Sequence, residues 1–445
     1  MKPGRLSFHA RKKVILLLLL IMAIGQIFVA ELLMAQNRFP KPEFETDYQQ
    51  PQTTTPEPRG VSHTYQDAII LIMALILATY LALKRRSRTG IFLLTIFSVL
   101  YFGFRRQGCI CPIGAIQNVT LGLFHSHYLI PISALIFFFV PLIFTLFFGR
   151  TFCAAVCPLG AIQELFVIHP LKVPTWLQQV LGFIPYIYLG FAVLFAATNT
   201  TFLICRLDPF VGFFRMSADF EMLLFGAGFL ILGVFVARPY CRFVCPYGVL
   251  LRWVSSLAKW HVTITPDDCI QCRLCETACP FGAIQEPTPG KIPEARIISV
   301  RRLGLTFVVL PFLMLLFGWI ISQMYLPLSR MHPTVALAEQ IEAENQGKTE
   351  ESTLESRTFR TTGTPLNDLI EQAITIQQQF RTGGWFLGAF LGLALGLKLI
   401  GLSIHRHRTD YAPDRAECIS CARCFAYCPR DQIQFKDQKR RFKFL

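Results

Sequence analysis

The chain has 445 residues, of which 53% are hydrophobic and 13% aromatic, and it carries a formal net charge of +15. This apolar content exceeds that of a soluble domain and predicts a polytopic membrane protein. No motif points to nucleic acid, so we attribute the excess of Lys and Arg to the cytoplasmic face of a membrane, with an attraction for anionic lipid or an acidic partner.

Eight apolar stretches are long enough to cross or enter a bilayer. In chain order they are 14–35, 66–83, 90–104, 129–148, 181–204, 220–237, 303–324 and 384–402. The first follows a basic tripeptide and could be a signal peptide, but its apolar core is long, which favours an uncleaved anchor. The third is short for a full crossing and could be a re-entrant segment.

Basic residues predict the orientation of these segments, because Lys and Arg collect in short cytoplasmic loops. The tracts at 84–88, 301–302 and 405–408 fall on one side of an eight-segment count. The regions 36–66 and 327–383 fall on the other side and contain no cysteine. The sequence therefore predicts a multi-pass protein of the bacterial cytoplasmic membrane with two outer loops.

Seven of the 15 cysteines lie at the ends of predicted membrane segments, in repeated Cys-Pro units. Two units are complete, each with three residues between its cysteines, a proline directly after the second and a glycine two residues further on. Their cysteines are Cys153 with Cys157 and Cys241 with Cys245. A shortened unit contains Cys109 and Cys111, and a degenerate one contains Cys205 with Asp208 in place of the second cysteine.

The other eight cysteines form two runs of identical spacing, C-x2-C-x2-C-x3-C-P. The first run is Cys269, Cys272, Cys275 and Cys279, and the second is Cys418, Cys421, Cys424 and Cys428. This is the ligand pattern of bacterial two-cluster [4Fe-4S] ferredoxins. Zinc is the alternative, but zinc ligand pairs are normally separated by a dozen or more residues.

In such ferredoxins the cysteine before proline binds the cluster of the other run. The pattern therefore predicts one cluster held by Cys269, Cys272, Cys275 and Cys428. It predicts a second cluster held by Cys418, Cys421, Cys424 and Cys279. Two membrane segments and an outer loop separate the runs, so the sequence predicts a ferredoxin domain that is split by a membrane hairpin.

The predicted fold class is mainly α: a membrane helical bundle with duplicated Cys-Pro half-units, plus a split cytoplasmic α+β ferredoxin domain. Short strands are expected at 261–265, 296–300 and 432–435. The predicted parts are the anchor with an outer loop, the membrane core, the first ferredoxin half, the membrane hairpin and the second ferredoxin half. Their boundaries are 1–65, 66–260, 261–300, 301–402 and 403–445.

The repeated Cys-Pro units and the two ferredoxin runs together resemble the NosR and NapH family of membrane-bound polyferredoxins. The resemblance covers about residues 90–300 and 415–432, and the two complete units match the family motif. It implies electron transfer between the quinone pool or cytoplasm and a periplasmic redox partner. The chain departs from NosR-like members because it lacks their large N-terminal flavin-binding domain and adds the sites at Cys109, Cys111 and Cys205.

Topology assigns the seven remaining thiols to two sides of the membrane, because the segment 129–148 lies between the shortened unit of Cys109 and Cys111 and the complete unit of Cys153 and Cys157. The four cysteines of the complete units are predicted to hold an inner [4Fe-4S] cluster. Cys109, Cys111 and Cys205 are predicted to hold an outer [4Fe-4S] or [3Fe-4S] cluster, with Asp208, His125 or His127 as a further ligand. As alternatives, Cys205 is a packing residue or forms a disulfide with Cys109 or Cys111.

We therefore predict an electron-transfer component of an oxidoreductase complex, with no catalytic residues of its own. A cytoplasmic or quinol donor would reduce the ferredoxin domain, and an outer flavoprotein or cytochrome would accept the electrons. The alternative is a factor that assists assembly or regulation of a periplasmic metalloenzyme. Reduction of an acceptor enclosed in proteoliposomes would distinguish the two.

Overall fold

The computed structural model describes residues 61–108, 112–216, 219–264, 269–288, 296–348, 352–403 and 408–429. The predicted first segment, 14–35, lies outside these residues, and so do Cys109 and Cys111. The described chain is mostly helical, as predicted.

The chain up to residue 256 forms α-helices interrupted by π-helical segments. The α-helices are α1 (Val61–Thr79), α2 (Arg88–Ser98), α3 (Pro112–Phe124), α4 (Ile132–Phe148), α5 (Pro158–Leu165), α6 (Thr175–Leu181), α7 (Ile184–Ala197), α8 (Leu203–Leu207), α9 (Pro209–Arg215), α10 (Phe220–Phe235), α11 (Pro239–Phe243) and α12 (Pro246–Ser256). The π-helical segments are Tyr80–Lys84, Val99–Arg105 and Phe152–Val156.

The remaining described chain contains further helices and two very short strands. The helices are α13 (Leu274–Ala278), α14 (Arg296–Gln323), α15 (Tyr325–Ser329), α16 (Pro333–Asn345), α17 (Leu354–Thr361), α18 (Leu366–Ser403) and α19 (Arg423–Tyr427). The strands are β1 (Ile284–Gln285) and β2 (Ala412–Pro413).

Five helical segments of the described chain are long and apolar enough to cross a membrane. They are Ser62–Lys84, Arg88–Arg105, Thr175–Ala197, Val300–Gln323 and Leu366–Ser403. Helices α9 and α10 would form a sixth crossing with a bend of 110° between them, and α4 is a shorter apolar helix. Helix α18 begins at Leu366, well inside the region 327–383, and the outer position of that region stays a prediction. Leu369 and Ala373 are buried there against α16, which keeps this part of the chain helical.

Helices α1 and α2 run antiparallel over their full length. At one end, Arg106 pairs with Asp67 at 2.7 Å, and Tyr101 donates a hydrogen bond to the same carboxylate at 2.9 Å. At the other end, Arg86 and Arg88 lie beside the second cysteine run, with the Arg86 guanidinium 4.7 Å from the Phe425 ring. The second helix therefore does not turn back as a re-entrant segment would.

Helices α14 and α18 form a tightly packed hairpin. Glycines recur at every fourth position of α18, at Gly384, Gly388, Gly392 and Gly396. A Cβ atom at position 392 would lie 2.6 Å from the carbonyl oxygen of Leu313, and one at 388 would overlap the carbonyl of Phe317. Small residues of this kind let transmembrane helices approach closely. The hairpin therefore holds together the chain segments that lead to the two cysteine runs.

The two cysteine runs meet beyond this hairpin. Strand β1 pairs with β2 in antiparallel register, with Ile284 opposite Pro413 and Gln285 opposite Ala412. The strand expected at 296–300 is wrong, because Arg296 begins α14. That segment continues directly into an apolar span, where only intrahelical hydrogen bonds satisfy the backbone. Residues 261–264 form no strand either, and 432–435 lie outside the described residues. We call this the cysteine-rich end of the molecule.

Candidate functional site

Both complete Cys-Pro units consist of a short helical segment, an extended cysteine and a new helix. Cys157 has φ −68° and ψ 117°, and Cys245 has φ −58° and ψ 112°. Proline disfavours helical backbone in the residue before it but fits the first position of a helix, and α5 and α12 begin at the two prolines. The local sequence thus places each second cysteine at a helix N-terminus, where aligned amide groups favour a thiolate.

Gln163 of the first unit holds the first cysteine of the second unit. Its amide oxygen accepts a hydrogen bond from Tyr240 N at 3.0 Å, and its amide nitrogen donates to Cys241 Sγ at 3.3 Å. A Cβ atom at Gly160 would lie 3.2 Å from Arg238 Nη1 and 3.6 Å from the same sulfur. The glycine of the motif therefore leaves room for the Arg238 guanidinium, and the glutamine orients the thiol.

All four thiols of the two units lie in one electrostatic neighbourhood. Burial raises the pKa of Cys245 well above its ordinary value, and thiolates at Cys241, Cys157 and Cys153 raise it further. Burial likewise raises the pKa of Cys241 to about 12, with Cys153 adding to the effect and Arg238 opposing it. Buried thiols grouped in this way become thiolates when they bind a metal. We call these four cysteines the membrane site.

Three thiols of the second run share a cavity with the last cysteine of the first run. Burial raises the pKa of Cys418 to about 12, and the nearby Cys421 and Cys279 thiolates contribute. Burial also raises the pKa of Cys424, and the nearby thiolates of Cys421, Cys418 and Cys279 raise it further. The four side chains line a cavity with Val262 and Ile284 among its apolar walls. We call this group the proximal site.

The other four thiols of the runs form a reciprocal group, the distal site. Burial raises the pKa of Cys275 to about 11, and the thiolates near it are Cys269, Cys272 and Cys428. The last cysteine of each run therefore lies with the first three cysteines of the other run. The spacing predicts the same grouping of thiols, and cluster binding by the two groups stays a prediction.

The thiol groups suit a cluster with several irons. A [4Fe-4S] cluster gives each thiolate its own iron, so its ligands surround a common space. The four thiols of the proximal site line one cavity, which fits such a cluster.

The membrane site adjoins the proximal site. Cys153 and Cys241 line a cavity together with Phe281 and Ile419, two residues that also line the cavity of the proximal site. Arg150 bridges the gap, because it donates a hydrogen bond to Ala416 O at 3.2 Å while another of its nitrogens lies 3.9 Å from Cys153 Sγ. Arg242 similarly donates to Phe281 O at 2.8 Å.

Cys205 lies in a setting that repeats these contacts at the end of the molecule away from the cysteine runs. A Cβ atom at Gly114 would lie 3.3 Å from Cys205 Sγ, and Gln117 accepts a hydrogen bond from Ile204 N at 3.0 Å. Gly160 and Gln163 make the corresponding contacts with Cys241 and Tyr240. Cys205 is exposed, so it is not the buried packing residue of the alternative interpretation.

Asp208 is buried three residues after Cys205, and one of its carboxylate oxygens accepts no hydrogen bond from the described residues. Its Oδ1 atom accepts a hydrogen bond from Phe210 N at 3.0 Å, while Oδ2 is buried with no hydrogen-bond partner among the described residues. A metal ion would satisfy this oxygen. His125 is less available because its Nε2 atom lies 3.0 Å from Ala197 O, and His127 is exposed.

Residues 109–111 join two segments that both lie close to this group. A Cβ atom at Gly108 would lie within 4 Å of Val211 and Phe214, and Gly114 contacts Cys205 as described above. Cys109 and Cys111 themselves lie outside the described residues, and no contact of theirs is assigned.

Sequence reasoning missed the buried charges around these sites. Glu164 and Arg238 are each only 2% exposed, and they form an ion pair at 2.8 Å between the membrane site and the proximal site. The sequence did contain a signal for this ion pair, because both charges lie next to otherwise apolar Cys-Pro units. Charged residues are rarely buried unless they are paired.

Comparison with known proteins agrees with these sites. A family model described as a 4Fe-4S binding domain matches residues 130–175 and 218–265, which contain the complete Cys-Pro units. A second 4Fe-4S binding domain model matches residues 262–285, which contain the first cysteine run. No solved structure matches the chain.

Two curated proteins are similar to part of this chain. The protein NirI of Paracoccus denitrificans is 34% identical over 53% of this chain and 37% of its own length. YccM of Escherichia coli K12, whose name describes it as a candidate electron transport protein, is 28% identical over 30% of this chain and 38% of its own length. The chain thus spans less than half the length of these relatives.

Proposed function

The chain belongs to the NosR and NapH type of membrane-bound 4Fe-4S proteins, and from that premise we propose that it carries single electrons across the cytoplasmic membrane. The route runs through four iron-sulfur clusters. Two are held by the distal and proximal sites of a split ferredoxin domain, one by the membrane site, and one by Cys109, Cys111, Cys205 and Asp208. Such clusters exchange one electron at a time, and the protein tunes their potentials by hydrogen bonds, charge and burial.

The observation that carries this proposal is the order of the thiol groups along the molecule. The proximal site adjoins the membrane site across the cavity lined by Cys153 and Ile419. Towards the other end, the Tyr240 ring, next to Cys241, contacts the Phe210 ring, two residues after Asp208, with 5.5 Å between the ring centroids. The chain therefore supplies a continuous packed connection from the cysteine runs to Cys205.

The length of the apolar segment Thr175–Ala197, which contains α6 and α7, supports a route that crosses the membrane. Its beginning lies near the first cysteine run, since a Cβ atom at Gly282 would lie 3.5 Å from the side-chain oxygen of Gln178 in α6. Its end, at Ala197, contacts His125 at the other end of the molecule. Its 23 residues correspond to a rise of about 35 Å.

Charge distribution supports a cytoplasmic position for the cysteine-rich end. The basic tract 84–88 adjoins the second cysteine run there, as positive-inside topology requires. At the opposite end, Arg106 is neutralised by Asp67. The electron donor is then a cytoplasmic protein or a quinol, and the acceptor is an extracytoplasmic flavoprotein or cytochrome.

Replacing Cys205 with alanine is expected to interrupt this route at its last step. The variant should lose about a quarter of its iron, because one of four clusters would be missing. In proteoliposomes, electrons from an external donor should still reduce the ferredoxin clusters but should no longer reach an enclosed acceptor. Iron and sulfide analysis with electron paramagnetic resonance (EPR) checks the first result, and reduction of an enclosed dye checks the second.

Asp219→Asn is the matched control, since Asp219 is exposed and lies near the same end of the molecule. It should keep native iron and native transfer. If the native protein binds its clusters but never reduces an enclosed acceptor, the transmembrane route is refuted. A role in assembly or regulation of a periplasmic metalloenzyme would then account better for the clusters.

A further inference from the structure

Three arginines from distant parts of the chain converge on the buried carboxylate of Glu164. Arg238 Nε lies 2.8 Å from Glu164 Oε2, and Arg423 Nη2 lies 2.6 Å from Glu164 Oε1. Arg88 contacts the same Oε1 atom. The Glu164 side chain is completely buried, while those of Arg88 and Arg423 are 22% and 19% exposed. We call these four residues the Glu164 cluster.

Each member of the Glu164 cluster is attached to a different part of the electron route. Glu164 follows the first complete Cys-Pro unit in α5, and Arg238 precedes the second. Arg423 lies between two cysteines of the proximal site, and Arg88 begins α2 and donates to Cys421 O at 3.4 Å. The cluster is therefore the place where the membrane site and the proximal site are joined.

Arg238 anchors the cluster to the backbone of the membrane site. Its two terminal nitrogens donate hydrogen bonds to the carbonyl oxygens of Cys153 and Ala154, the latter at 2.9 Å. Its charge acts on thiolates of both sites, Cys241 on one side and Cys421 on the other. Glu164 and Arg88 also act on Cys421, with opposite signs.

The carboxylate keeps its charge in this environment. Burial alone would raise the pKa of Glu164, but Arg238, Arg423 and Arg88 together lower it to about 2. The cluster consequently holds three positive charges and one negative charge, and water reaches only the Arg88 and Arg423 side chains in part. A positive charge near an iron-sulfur cluster stabilises its reduced form, and a negative charge stabilises its oxidised form.

We propose that the Glu164 cluster positions the membrane and proximal sites relative to each other and sets the potentials of the clusters they hold. Glu164 and the three arginines are positioning residues that act on the clusters by charge and do not bind them. The inference rests on the proposed iron-sulfur sites. It adds which residues set the potentials for electron transfer between the proximal site and the membrane site.

A pair of variants with opposite charge effects tests this proposal in the full-length protein. Glu164→Gln removes a negative charge and should raise the potentials of both clusters. Arg88→Gln removes a positive charge from a partly exposed side chain and should lower the potential of the proximal cluster. A unit charge about 12 Å away changes an equilibrium roughly tenfold at an effective dielectric constant of about 20. For one electron, a tenfold change in the ratio of reduced to oxidised cluster is about 59 mV.

The measurement is a redox titration followed by EPR, with iron content determined on the same samples. Glu164→Asp should stay close to the native potentials, and the double variant E164Q/R88Q should fall between the single variants. Glu344→Gln is the matched control, because Glu344 pairs with Arg360 at 2.8 Å and is nearly buried, but lies in α16, far along the chain from any cysteine.

The outcomes separate this inference from the proposed function. Shifts of opposite sign with native iron content support the inference. Unchanged potentials in E164Q and R88Q, or shifts of the same sign, overturn it while leaving the electron route intact. If E164Q fails to assemble, the partly exposed Arg88 decides the question alone. Absence of a membrane-site or proximal cluster from the native protein would instead refute the proposed function.

Discussion

Replacing Cys279 with alanine should abolish the cluster of the second cysteine run, although Cys279 belongs to the first. The reason is the exchange of partners: Cys279 lines the cavity shared with Cys418, Cys421 and Cys424. We expect the loss of about a quarter of the iron and of one EPR signal from a four-cluster protein. Electron transfer from the distal site to the membrane site should fall below detection, because the proximal cluster connects them.

Cys428→Ala is the reciprocal variant and serves as the control for this prediction. Cys428 lies with Cys269, Cys272 and Cys275, so its loss should remove the distal cluster and leave the proximal one. EPR of each variant combined with the E164Q substitution identifies which ferredoxin cluster remains, since of the two ferredoxin clusters only the proximal one should respond to Glu164. The arrangement is disproved if the C279A variant loses the cluster that is insensitive to E164Q.

Replacing Gly388 with leucine should separate the two halves of the ferredoxin domain. The new side chain would overlap the backbone carbonyl of Phe317, where neither helix offers a flexible side chain that could move. Overpacking of this kind typically costs about 1–3 kcal/mol and displaces the backbone. Because α14 leads from the first cysteine run and α18 leads to the second, displacement of either helix separates the exchanged ligands.

We expect this variant to lose about half of its iron, corresponding to the two ferredoxin clusters, while the membrane site keeps its own. Gly401→Leu is the matched control, because Gly401 lies on the same helix and no atom lies within 4 Å of the added Cβ. Iron analysis and EPR of both variants in the membrane provide the measurement. Native iron content in the G388L variant would show that the hairpin does not hold the ferredoxin halves together.

The local sequence was sufficient to predict most of the helices and the thiol groups. The apolar segments are long enough to cross a membrane. They form helices because lipid offers no hydrogen-bond partners, so the backbone groups must bond within the segment. The cysteine spacing predicted which four thiols of the runs lie together, and the two groups led by Cys275 and Cys424 agree with it. The family resemblance is confirmed by the comparisons.

Local patterns failed where a segment's neighbours determined its structure. The sequence Arg296–Val300 resembles a strand in isolation, but it continues into a membrane helix and is helical.

The sequence by itself determined the chemistry of this protein, because thiol spacing and apolar length are local properties of the chain. Only the tertiary structure decided how the sites are coupled. Glu164 and its three arginines are separated by up to 335 residues in the sequence, as the numbers of Arg88 and Arg423 show. Their pairing depends on burial, since a carboxylate and guanidinium groups removed from water must compensate one another's charge. The periodicity of the sequence does not predict which of these charged residues will pair.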